Sequence, residues 1–187
     1  LATKISFMNE MANIAERVGA DIETIRLGIG ADPRIGYHFI YPGCGFGGSC
    51  FPKDVRALSS TAREAGYEPI LLESVTNVNN YQKESIVSKI LTCFEGSVEG
   101  LKFGIWGLSF KPNTDDVREA PSLVVIHELG KRNAEIIAYD PVANEEASKQ
   151  IDGNVNISFS DNLFDAIRNV DALILLTEWK EFRSPDF

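Results

Sequence analysis

The sequence predicts an α + α/β chain: a helical half ending in a long connecting helix, followed by a half built on a parallel sheet in the doubly wound style. Three observations carry this reading. Up to Phe94 the apolar residues recur at three- and four-residue spacing, the period of helices that bury one face. Beyond Gly96 and Gly100 short apolar runs (Phe103–Leu108, Ile136–Tyr139, Ala172–Leu176) alternate with helical patterns, which implies strands joined by crossover helices. One pattern, opened by Pro69 and carried by Leu71, Val75, Val78, Ile86, Ile90, Leu91 and Phe94, is much longer than the rest and corresponds to a helix of about 38 Å. The halves divide at residues 1–95 and 96–187. A chain of 187 residues with 44% hydrophobic content can bury a core in each.

Ile5, Met8, Ala12, Ala15 and Val18 form the stripe of a first helix, stopped by Gly19. Asp21 is placed to cap a second helix that ends before Gly30. Ala31 to Ser49, rich in proline and glycine and carrying Phe39, Tyr41 and Phe46, reads as a long ordered loop, and loops of that length in compact domains are often functional. A third helix follows with Val55, Leu58, Ala62 and Ala65 on one face and stops near Gly66. On the long helix, Asn77, Asn79 and Asn80 read as surface polar groups.

Gly45-Phe46-Gly47-Gly48-Ser49-Cys50-Phe51-Pro52-Lys53-Asp54 joins the loop to the third helix. Three glycines let the backbone approach a ligand, and Pro52 suits a first helical turn. Cys50 therefore sits at a helix N-terminus, where unpaired N–H groups and the positive end of the dipole favour a thiolate. Lys53 and Arg56 add positive charge nearby. Asp54, four residues on, lies on the same helical face and is positioned to help proton transfer beside the sulfur.

In the second half, Phe103–Leu108 and Ile136–Tyr139 read as buried strands, and a helix runs from Pro121 to near Gly130. Further helices are expected near residues 145–150 and 163–170, with a strand at 172–176. Ligands of such sheets lie beyond the carboxyl ends of the strands. Residues 109–118 occupy that position, with Lys111 and Arg118 as phosphate contacts. Gly104 and Gly107 are not followed by the third glycine of a dinucleotide fingerprint, so a mononucleotide half-site is expected. Asp140, at a strand end before Pro141, either receives a ribose hydroxyl or makes the turn.

A net charge of −9 argues against a nucleic-acid partner, whose phosphates demand a basic face. Cys44, Cys50 and Cys93 include no CxxC pair, and only His38 and His127 could join them, so neither a disulfide framework nor a metal site is expected. No apolar run reaches the ~20 residues that span a bilayer and no signal peptide is visible. A reducing, cytoplasmic compartment is expected. The first residue is not Met and the helical pattern is already running at residue 4, so the chain is expected to be a fragment of a longer protein.

The Gly-Phe-Gly-Gly-Ser-Cys-Phe-Pro-Lys-Asp run closely resembles the active-site cysteine motif of the UDP-glucose 6-dehydrogenases and related nucleotide-sugar dehydrogenases. Ala31-Asp32-Pro33-Arg34-Ile35-Gly36 is similar to that family's substrate loop. Gly107-Leu108-Ser109-Phe110-Lys111 and Asp140-Pro141 match its UDP-binding domain. The resemblance implies a central helical dimerisation domain over residues 1–95, then a Rossmann-like UDP-binding domain, incomplete at its end, over 96–187. It also implies an NAD-binding domain and further catalytic groups ahead of Leu1.

By the same resemblance the complete enzyme, a homodimer, oxidises UDP-glucose to UDP-glucuronate with two NAD. Cys50 captures the intermediate aldehyde as a thiohemiacetal and then a thioester, and Asp54 assists. The substrate is held by Arg34, reaching from a neighbouring subunit, by Phe39, Ile40, Tyr41, Pro42, Gly43 and Gly47, and by Phe110 and Lys111. Lys53 and Arg118 contact the cofactor. The alternatives are a UDP-N-acetylmannosamine or GDP-mannose dehydrogenase, or a dimerisation and UDP-sugar-binding module without chemistry.

Overall fold

A computed structural model of the protein describes residues 1–185. The described residues form two compact units: residues 1–46 with 50–82, and residues 47–49 with 83–185.

The first unit is helical. It contains α1 (Ala2–Val18), α2 (Ile22–Gly30), α3 (Phe51–Glu64) and the first part of α4 (Ile70–Cys93). α1 ends at Gly19, whose left-handed backbone (φ 71°) closes the last turn, the usual use of a residue without Cβ. α2 starts where expected, because the Asp21 carboxylate accepts the Glu23 and Thr24 N–H groups at 3.1 Å. α4 has 24 residues, or ~36 Å of helix. The unit's core is modest. Ala2, Phe46 and Val75 are buried together, with Ile5, Phe51 and Val55 against them. The Ser6 hydroxyl adds a buried bond to the Val75 carbonyl at 2.9 Å, tying α1 to α4.

The second unit opens with the last turns of α4, followed by β1 (Lys102–Trp106), α5 (Pro121–Gly130), β2 (Glu135–Tyr139), α6 (Asn144–Ser148), β3 (Ile157–Phe159) and β4 (Ala172–Leu175). The four strands are parallel in the order β3-β2-β1-β4. The chain winds outward from β1 to β3 and then returns to the other side of β1, leaving a topological switch point between β1 and β4. The expected doubly wound architecture is therefore present. Alternation along the strands builds two cores. On one face Phe103, Ile105, Ile136, Ala138 and Ile174 pack with Val125, Ile126 and Leu129 of α5 and with Val87 of α4. On the other, Trp106, Ala166, Trp179 and Phe182 cluster with Ile137 and Tyr139, and the rings of Trp106 and Phe182 stack at 5.1 Å.

Two expectations differ from the structure. The helix near 163–170 is only a 3-10 turn, Asp165–Ile167. Asn162 caps it by accepting the Phe164 and Asp165 N–H groups. Arg168 then leaves the helical region and Asn169 takes φ 56°, so the turn cannot propagate. β3 was not anticipated: its three residues are too few to establish a period. Among the described residues, no helix is long and apolar enough to cross a membrane.

Candidate functional site

In the helical unit the predicted cysteine stands where the sequence places it. Cys50 is the N-cap of α3, exposed, with Pro52 in the first turn. Asp54 lies in the same turn, and its N–H donates to the Cys50 carbonyl at 2.8 Å. Its carboxylate is 3.5 Å from the Lys53 ammonium, both side chains facing solvent. The ring of Phe51 anchors the start of the helix edge-on to Phe46 (5.9 Å) and to Phe39 (6.2 Å). This brings part of the predicted substrate loop beside the thiol-bearing turn. The other nearby thiol has a different environment: Cys44 is half-buried, and loss of solvation pushes it up to about 11.

The loop from Ala31 is held by bonds that the sequence did not reveal. The Asn9 side chain accepts the Gly43 N–H at 2.8 Å, and Gln82 donates to the Gly43 carbonyl at 2.7 Å. Asn13 in turn donates to Gln82 at 2.7 Å. Asn79, read from sequence as a surface group, is in fact buried, and it grips the backbone of Phe46 twice, accepting its N–H at 2.7 Å and donating to its carbonyl at 3.0 Å. Side-chain amides suit this task because each offers a donor and an acceptor to an irregular backbone that has no ladder partner. The only sequence signal was that Asn9, Asn79 and Gln82 fall at helical spacing on the faces that carry the apolar stripes.

The remaining loop residues are also placed. Ile40 is fully buried, whereas Phe39 (φ 61°) and Tyr41 are exposed. The Tyr41 ring lies 4.3 Å from the Arg26 guanidinium, which is buried and paired with Glu23. Pro42 precedes the clamped Gly43. Arg34 is highly exposed and is gripped two ways by Asp32, through Nε at 2.9 Å and Nη2 at 2.6 Å. That pairing lowers the Asp32 carboxyl and raises the guanidinium.

The second unit holds Gly47, Phe110, Lys111 and Arg118. Gly47 and Gly48 lie against the segment after β1 so closely that side chains could not fit. A Cβ on Gly47 would come within 2.5 Å of the Glu119 carbonyl oxygen, and one on Gly48 (φ +81°) within 2.7 Å of the Phe110 ring. The Gly48 N–H donates to the Arg118 carbonyl at 2.7 Å. Lys83, buried on α4, donates to the Glu119 carbonyl at 2.8 Å, fixing the same segment. The Arg118 side chain is exposed and doubly bonded to Asp116 at 2.9 and 2.7 Å, which holds that carboxyl below its usual range. The Lys111 ammonium lies over the Phe110 ring at 5.3 Å.

At the carboxyl ends of the strands lies a cleft of about 720 Å³ whose walls include Pro112, Pro141 and Trp179 together with the cations Lys180 and Arg183 and the carboxylates Glu178 and Glu181. Its position is the one at which doubly wound sheets take their ligands. Asp140 faces inward instead. It is buried, and its two oxygens accept the Leu108 and Val142 N–H groups among others, the geometry of a residue that makes the turn.

The chain thus has a helical unit with a thiol at a helix N-terminus and a unit with a parallel sheet of doubly wound order, the class of fold that takes ligands beyond the carboxyl ends of its strands. Residues 1–81 match the central domain of the UDP-glucose/GDP-mannose dehydrogenase family, and residues 104–187 match that family's UDP binding domain. The chain belongs to this family. It is 49% identical to a UDP-glucose 6-dehydrogenase of Pseudomonas aeruginosa, covering 100% of this chain and 42% of the relative. It is 48% identical to the UDP-glucose 6-dehydrogenase TuaD of Bacillus subtilis, over 98% of this chain and 39% of the relative. A solved UDP-glucose dehydrogenase from the archaeon Pyrobaculum islandicum superposes with a TM-score of 0.91 at 35% identity, over 100% of this chain and 42% of that one. The chain thus spans less than half the length of these relatives.

Proposed function

We propose that the chain is the thiol-bearing and nucleotide-binding part of an NAD-dependent UDP-glucose 6-dehydrogenase, acting as a cytoplasmic homodimer. The observation that carries this reading is the exposed Cys50 at the N-terminus of α3, within a chain 49% identical along its whole length to a UDP-glucose 6-dehydrogenase.

Cys50 acts as the nucleophile. Its sulfur adds to the C6 aldehyde of the half-oxidised sugar, forming a C–S bond while the carbonyl oxygen takes up a proton. The resulting thiohemiacetal loses hydride and a proton to become a thioester. Water then cleaves the C–S bond, releasing the carboxylate and returning the thiol. Covalent capture retains the aldehyde and divides a four-electron oxidation into separate steps. Asp54, in the same helical turn, orients or deprotonates the water.

Phe39 to Gly43 hold the glucosyl and phosphate groups, with Gly47, Phe110 and Lys111. Arg34, whose guanidinium faces solvent, serves a neighbouring subunit. NAD, when bound, accepts a hydride at each of the two oxidations. The turn after β1 lacks the glycine fingerprint that would cradle a dinucleotide. The solvent-facing cations Lys53 and Arg118 suit peripheral contacts to its phosphates, and the rest of its site is assigned to chain outside these residues.

The test follows NADH absorbance with the full-length protein offered UDP-glucose, UDP-N-acetylmannosamine and GDP-mannose. Turnover of UDP-glucose with two NADH per sugar is expected. Preference for either other sugar would reassign the substrate. The 187-residue chain alone should produce none, whereas NADH from it would refute its dependence on further chain.

A further inference from the structure

Building on the nucleotide-binding reading of the second unit, we propose that Asp140 is the positioning residue of the nucleotide cleft, fixing the Trp179 indole and the loop after β1 in the geometry that receives the nucleotide. Six donors converge on its carboxylate. Oδ2 accepts the N–H groups of Leu108 at 2.7 Å and Ser109 at 3.1 Å, the Ser109 hydroxyl at 3.2 Å and the Trp179 indole N–H at 3.1 Å. Oδ1 accepts the N–H groups of Val142 and Ala143, both at 3.0 Å. These donors belong to the segments that leave β1, β2 and β4 at their carboxyl ends. The Asp140 N–H also donates to Asn144, whose amide donates to the Ser160 carbonyl just after β3. Asp140 therefore ties together the segments after β1, β2 and β4, and through Asn144 the end of β3 as well.

The chemistry of this hub suits positioning rather than contact. Asp140 is 2% exposed, so its charge is not offered to a ligand. Charge-assisted bonds to buried donors are about twice as strong as neutral ones, and a donor left without its acceptor costs about 1–3 kcal/mol. The indole N–H is the one of the six donors that belongs to a residue lining the cleft. Its bond to Asp140 sets how the ring presents itself there. Through the Leu108 and Ser109 N–H groups the same carboxylate anchors the start of the loop carrying Phe110, Lys111, Pro112 and Asn113. Neighbouring hydroxyls complete the anchoring: Ser122 donates to the Leu108 carbonyl at 2.5 Å and Thr177 to the Ser109 carbonyl at 2.6 Å.

The two tryptophans give separate signals, because the Trp106 indole donates to the Leu163 carbonyl instead. In a nitrogen-15 labelled chain titrated with UDP, the Trp179 indole resonance should move and that of Trp106 should stay. Asp140→Asn should displace the Trp179 resonance, leave that of Trp106 in place and weaken UDP binding at least tenfold. Trp179→Phe should weaken binding as well, and adding it to Asp140→Asn should cost less than its effect alone, since both act through one bond. Unchanged UDP affinity in folded Asp140→Asn would overturn the role of Asp140 while leaving the nucleotide reading intact. If Asp140→Asn does not fold, Trp179→Phe decides, with undiminished affinity counting against the proposal. Failure of the wild-type chain to respond to UDP at all would overturn the nucleotide reading itself, and this role with it.

Discussion

At the scale of single residues, two cysteines six positions apart live in different chemical worlds. Cys50 is exposed at a helix N-terminus, whereas Cys44 is pushed up to about 11 by burial. Alkylation near pH 8, followed peptide by peptide, should label Cys50 at least tenfold faster than Cys44, because only thiolate reacts. The same burial has a signed effect on stability. Folded Cys44 keeps a proton that the unfolded chain loses above the ordinary thiol range, so its contribution is whole below that range and fades as pH rises through about 11. Denaturation midpoints of wild type and Cys44→Ala should therefore converge as pH rises through that window. In the full-length enzyme, Cys50→Ser should nearly abolish turnover while nucleotide-sugar affinity stays close to unchanged, since a serine alkoxide is far harder to form. Asp54→Asn should slow turnover by about 10² to 10⁴. Retained turnover in Cys50→Ser would make Cys50 a structural residue. The placement of Cys50 and Asp54 in the first turn of α3 was legible because the motif is contiguous. The roles of Asn9, Asn79 and Gln82 were not, because each depends on a backbone group more than 30 positions away.

At the scale of elements, the clamp from α1 and α4 onto the loop is the feature most open to attack. Asn79→Ala would strand a buried N–H and a buried carbonyl at Phe46, costing on the order of 2 kcal/mol. Thermal melting of the chain should then shift down by roughly 4–8 °C, and a shift of under a degree would mean that water replaces the amide. The elements legible from sequence were those with either a long period or a strong stop. α2 has Asp21 at its start, α1 has Gly19 at its end, and α5 runs from Pro121 to Gly130. β3 escaped because Ile157–Phe159 is held by pairing to β2, in register Ile136 with Ile157, and pairing is not written in the strand's own residues. The over-long helix at 163–170 failed for the converse reason. Its apolar residues do face a core, but Asn162 and Asn169 impose turn geometry at both ends.

At the scale of the whole molecule, the two units are unequally provided with core. The sheet unit buries residues on both faces, whereas the helical unit has a small cluster around Ala2, Phe46 and Val75. The helical unit also leaves Phe7, Ile14 and Val18 of α1 and Ile70 and Leu71 of α4 exposed. Fully burying an aliphatic or aromatic side chain of this kind contributes about 1.5–3 kcal/mol. Covering several at once in a second copy would provide what the unit's own core does not, and obligate interfaces of that kind resemble a core cut in half. Sedimentation at high micromolar concentration should therefore show dimers. Phe7→Glu combined with Leu71→Glu should convert them to monomers, and hydrogen exchange should then quicken in α1 and α4 before β1 and β2, because local opening is governed by buried apolar contact. A monomer at that concentration in the wild-type chain, with α1 as protected as β1, would show that the helical unit is stable uncovered and that these side chains are ordinary surface.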